Sequence, residues 1–89
     1  MEHASEVSIV NKYGLHARPA AEFVKLANRF ASEVFIRKDD VEVSGKSIMG
    51  VMMLAAECGS TVHVRAAGGD AREAVDALVE LVRNRFGEE

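Results

Sequence analysis

The closing stretch "GDAREAVDALVELV" limits the fold more than any other part of the chain. Ala71, Ala74, Val75, Leu78, Leu81 and Val82 recur at three- and four-residue intervals, so on a helix they form one apolar stripe that has to be covered. Asp70 and Glu73 supply an acidic start signal for that helix. The segment before it, "STVHVRAAG", has the complementary need. Val62, Val64 and Ala66 alternate with His63 and Arg65, the pattern of a strand with one solvent face. A helix laid on a sheet satisfies both.

The rest of the chain repeats this logic. Glu6 to Val10 reads as a first strand and "NKYG" as the turn after it. Ala20, Phe23, Val24, Ala27 and Phe30 outline a second amphipathic helix from Ala17, with Pro19 in its first turn, where a missing amide hydrogen costs little. Glu33 to Arg37 and Val41 to Ser44 read as a hairpin around "KDD". Ser47 is placed to N-cap a short helix that Gly50 weakens and Gly59 stops. The order β-α-β-β-α-β-α implies a mixed α/β (α+β), open-faced sandwich with its helices on one face of the sheet. Pattern alone leaves the strand order open. The 89 residues suit one domain, residues 1–89.

Composition narrows the function classes. Hydrophobic residues make up 48% and charged residues 28%, the balance of an ordinary globular chain with no stretch for membrane insertion. A net charge of −3 argues against nucleic-acid binding and toward protein or small-molecule partners. The N-terminus shows no export signal, which implies a cytoplasmic location. Cys58, the single cysteine, lies in an apolar run and reads as a small buried side chain in a reducing compartment.

His16, in "YGLHARPAAEF", is the residue that invites chemistry. It precedes a helix whose first amides, around Ala17 and Arg18, lack intrahelical acceptors and point toward any anion placed there. Arg18 adds a guanidinium fork suited to phosphate oxygens. A cation at a helix start is otherwise a small misfit, which hints at an anionic partner. The helix dipole and Arg18 both disfavour a positive ring, leaving neutral imidazole available as a nucleophile. Gly14 lets the backbone turn tightly before it. The histidines and Cys58 show no ligand-pair spacing, so no metal site is expected.

"GLHARPAAEFVKLANRF" closely resembles the active-site segment and first helix of the HPr family, the histidine-containing phosphocarriers of the bacterial phosphoenolpyruvate-dependent sugar phosphotransferase system. "GKSIMGVMMLAA" resembles the regulatory-serine region of the same family. The resemblance implies four antiparallel strands with three helices on one side. It implies that His16 is phosphorylated on Nδ1 by enzyme I and passes the group to enzyme IIA domains, with Arg18 and the Ala17 and Arg18 amides holding the phosphate. It makes Ser47 the target of HPr kinase/phosphorylase and places Ile48, Met49 and Met52 at a partner interface. A catabolite-control transcription regulator joins the implied partners. Such a chain is a monomeric carrier without a cofactor, consumed and regenerated in a relay rather than acting as an independent enzyme. The alternatives are a mainly regulatory or nitrogen-branch homologue, or a non-catalytic interaction module built on Ile48, Met49 and Met52.

Overall fold

The computed structural model describes residues 1–88. Its sheet is organised around β4 (Thr61–Ala67), which pairs antiparallel with β1 (Glu2–Ser8) on one side and β2 (Glu33–Lys38) on the other. β3 (Val41–Ser44) joins the free edge of β2, giving the order β1-β4-β2-β3. The alternation expected of β4 is present: Val62, Val64 and Ala66 are fully buried. Val7 lies opposite Val62, and Ile36 opposite Val64, so neighbouring strands extend one continuous apolar face.

Three helices, α1 (Ala17–Ala27), α2 (Ile48–Met53) and α3 (Ala71–Arg83), complete the open-faced sandwich, and a 3-10 turn follows at Arg85–Gly87. α3 packs on β1 and β4, while α1 packs against both α2 and α3. The stripe of α3 is buried at Ala71, Ala74, Val75, Leu78 and Val82, but Val79 completes it in place of Leu81, which is only partly buried. The buried valines and Leu78 of this stripe contribute about 1.5 to 3 kcal/mol each, and the alanines less. α1 buries Pro19, Ala20, Phe23, Val24 and Ala27 as its periodicity predicts. Phe30 lies beyond the helix and is half-buried.

Several local expectations are corrected by tertiary contacts. β1 begins at Glu2, well before Glu6, because residues from Glu2 onward pair in register with β4. Val10 falls outside the strand and is exposed. α2 ends at Met53, short of Gly59; Ala55 takes the left-handed backbone conformation just past the helix (φ 49°). Gly59 instead donates its amide to the Ile9 carbonyl at 2.8 Å, leading the chain into β4. Cys58 lies in that turn and is exposed rather than buried. Asp70 precedes α3 but makes no side-chain bond to it. Its carboxylate accepts from the Ala31 and Ser32 amides, each at 2.9 Å, and from the Ser32 hydroxyl. Those bonds, the Ser32 hydroxyl foremost and the Ala31 amide next, hold the Asp70 carboxyl below its ordinary range.

Candidate functional site

The site begins with a turn that only glycine can make. Asn11, fully buried, donates from Nδ2 to the Gly14 carbonyl at 2.8 Å, and the Gly14 amide returns a bond to the Asn11 carbonyl at 3.2 Å. Gly14 has φ +66°, and a Cβ there would run into the Ala56 carbonyl. That same carbonyl accepts the Leu15 amide at 2.8 Å, and the Leu15 side chain is buried. The chain is thus pinned on both sides before it reaches His16. A helix start held this firmly sets its side chains in a fixed direction.

His16 is the N-cap of α1, with extended backbone (φ −76°, ψ −175°). Its carbonyl accepts the Ala20 amide at 3.0 Å, while its ring makes no capping bond. The side chain is 41% exposed, and the Tyr13 ring meets it edge-on with centroids 6.3 Å apart. The Ala17 and Arg18 amides have no intrahelical acceptor, Pro19 has no amide hydrogen, and the first turn carries no acidic side chain. Arg18 is exposed and forms no ion pair among the described residues. Tyr13, His16, Arg18, Gly87 and Glu88 line one open cleft of about 370 Å³. The backbone donors and the guanidinium suit a tetrahedral oxyanion held beside an imidazole nitrogen.

One occupant of this cleft was not legible in the sequence. The Glu88 carboxylate approaches His16 Nε2 to 3.1 Å, and its Oε1 accepts from Asn11 Nδ2 at 3.0 Å. Positive fields alone were expected around the ring; the structure places a carboxylate there as well. Asn11 could have been suspected from its position three residues before a turn glycine. Glu88 had no local signal, because its place depends on how the chain reverses after α3.

The second predicted residue heads the second helix. Ser47 is the exposed N-cap of α2, and its Oγ accepts the Gly50 amide at 3.1 Å. Behind it only Val51 of α2 is buried. Ile48, Met49, Met52 and Met53 are 44%, 76%, 41% and 74% exposed. Met53 was absent from the sequence-based set, although it belongs to the same apolar surface. The contact between α1 and α2 brings the helices bearing the two predicted residues together. No helix among the described residues is long and apolar enough to cross a membrane.

Comparison with known proteins shows the family and the fold of the chain. Residues 4–84 match the family model described as the PTS HPr component phosphorylation site. The chain is 52% identical over 83 residues to the phosphocarrier protein HPr of Cupriavidus necator, covering 93% of each chain. It is 54% identical over 86 residues to that of Pseudomonas putida, covering 96% of each. A crystal structure of HPr-C-His from Thermoanaerobacter tengcongensis superposes with a TM-score of 0.93 at 47% identity, over 98% of both chains.

Proposed function

The chain belongs to the HPr family of phosphotransferase-system phosphocarriers, and from that premise we propose that His16 is its phosphoryl acceptor, charged on Nδ1 by enzyme I and discharged to enzyme IIA domains in the cytoplasm. The observation that carries this reading is the position of His16. It caps α1 through its backbone alone, and its ring opens with Arg18 onto one cleft at the free amides of the helix. A phosphoramidate on imidazole is a reactive donor, so the group can be loaded and passed on. The Ala17 and Arg18 amides and the Arg18 side chain hold its oxygens.

Ser47 supports a second, slower task for the same molecule. A phosphoester there is stable and suits a switch written by HPr kinase/phosphorylase. Its charge of about −1.5 to −2 would sit at a helix start, beside the exposed Ile48, Met49 and Met52 through which partners dock. The deciding experiment is phosphorus NMR with mass spectrometry after incubation with phosphoenolpyruvate and a bacterial enzyme I. The expected product is one acid-labile phosphohistidine, on His16. Phosphate on another residue, or none with an enzyme I shown to be active and compatible, would overturn the reading.

A further inference from the structure

We propose that Met49, Met52 and Met53 form an oxidation-sensitive patch, at which peroxide makes sulfoxides that reversibly weaken the docking of enzyme I beside His16. This rests on the reading of His16 as the acceptor and of α2 as part of the docking surface. The placement of sulfur in the chain is the first support. The sequence has four methionines, and three of them fall within five consecutive positions of one six-residue helix. The buried core holds no methionine among the described residues, although filling irregular gaps in a core is the usual packing use of this side chain. The spacing i, i+3, i+4 sets the three thioethers on one face of α2.

That face is open, and nothing in the fold depends on it. Met49 and Met53 are 76% and 74% exposed and Met52 is 41% exposed, so an oxidant reaches the first two soonest. α2 is held through the buried Val51 and through the bond from the Gly50 amide to Ser47 Oγ. Neither involves a methionine side chain. Oxidising all three therefore alters the outer surface and leaves the core as it is. α2 packs on α1, the helix headed by His16, and on β3 at one edge of the sheet. Met1, the remaining methionine, is also exposed but precedes β1, at the opposite edge.

The chemistry needs no group from the protein beyond sulfur. A thioether lone pair attacks one oxygen of hydrogen peroxide, and the S–O bond forms as the O–O bond breaks. The departing hydroxide takes the proton left on the transferred oxygen and leaves as water. Sulfur is oxidised by two electrons and the peroxide is reduced. A pliable apolar contact thus becomes a polar, chiral one, whose new oxygen must shed water when a partner covers it. Methionine sulfoxide reductases reverse the change, with a dithiol supplying the electrons and the oxygen leaving as water.

The test uses a Cys58→Ser background, because Cys58 is an exposed thiol that peroxide also attacks. The chain is treated with hydrogen peroxide, the excess is destroyed, and peptide mass spectrometry locates the added oxygens. Loading from phosphoenolpyruvate by a bacterial enzyme I is then followed at several concentrations of the chain. Oxidation of Met49, Met52 and Met53 is expected to raise KM for the chain roughly tenfold, with kcat and the thermal midpoint unchanged. Treatment with both sulfoxide reductases should restore KM. A variant carrying Met49→Leu, Met52→Leu and Met53→Leu, in which Met1 is the one sulfur left, should load at the same rate before and after peroxide. Complete oxidation of the three methionines without a rise in KM, or a fall in loading that the leucine variant shares, would overturn the proposal. An untreated chain that fails to load would refute the acceptor reading of His16. Calorimetric binding of enzyme I before and after oxidation then decides the proposal separately, since an affinity that does not fall overturns it.

Discussion

Two helices of this molecule begin at a side chain that can carry phosphate, and they use it in opposite ways. Ser47 commits its Oγ to the Gly50 amide of its own helix. His16 gives α1 only a backbone carbonyl, and its ring faces the tail at Glu88. On the function proposed above, the difference would separate two kinds of phosphorylation. A group on Ser47 would be added to an oxygen that the helix already uses, which suits an occasional and durable mark. A group on His16 would come and go without touching a bond of the helix beneath it.

The largest effect that would break this contrast comes from His16→Ala. It should abolish acid-labile phosphate on the chain while changing stability by no more than about 0.5 kcal/mol, because the ring is part-exposed and caps nothing. Phosphorus NMR and a thermal melt measure the two halves. A large loss of stability would show that the ring is structural after all. Gly14→Ala should do the reverse. With φ +66° and the Ala56 carbonyl in the way, the substitution is expected to destabilise by about 2 to 3 kcal/mol or more in urea denaturation. An undiminished midpoint would mean that the turn holding His16 tolerates a side chain and is less fixed than its contacts imply.

At the second helix the expected effects are smaller and of the other kind. Ser47→Ala removes the cap and should lower stability by about 1 kcal/mol. Ser47→Asp should keep the cap, since aspartate serves as well, yet slow loading by enzyme I through its added charge at the docking surface. Equal loading rates for Ser47→Asp and wild type would contradict the regulatory role. Equal stability for Ser47→Ala and wild type would remove the structural half of the comparison.

How much of this was legible in the sequence depended on the range of the interaction. The stripes of α1 and α3 and the alternation of β4 are set by local spacing, and they were readable. His16 and Ser47 can be placed at helix starts because such starts have a local grammar of caps, prolines and glycines, whereas the regulatory role proposed for Ser47 rests on the family resemblance. Glu88 escaped because nothing near it marks a site; its position follows from the buried Phe86 and the left-handed residues around it. Cys58 was misread for a related reason: an apolar neighbourhood in sequence continued past the end of α2 into an exposed turn. The early start of β1 was set by pairing with β4, a long-range contact without a signature in "EHAS".

The third helix start extends the comparison and carries the smallest prediction. Asp70 stands where a cap should be, but its carboxylate reaches across to Ala31 and Ser32. It therefore ties α3 to the segment before β2 rather than serving its own helix. Because these donors favour the ionised form, the folded-state value lies below the ordinary 3.8. Stability from this difference is present above the ordinary carboxylate range and is lost as pH falls through the lowered folded-state value. Asp70→Asn removes the titration. The gap in urea midpoint between wild type and variant should be widest near neutral pH and narrow as pH drops below about 4. A gap that stays constant with pH would mean that the Ser32 and Ala31 donors do not distinguish carboxylate from carboxylic acid. Asp70 would then be a neutral tether, closer to Ser47 in its bonding than to a charge anchored by its donors.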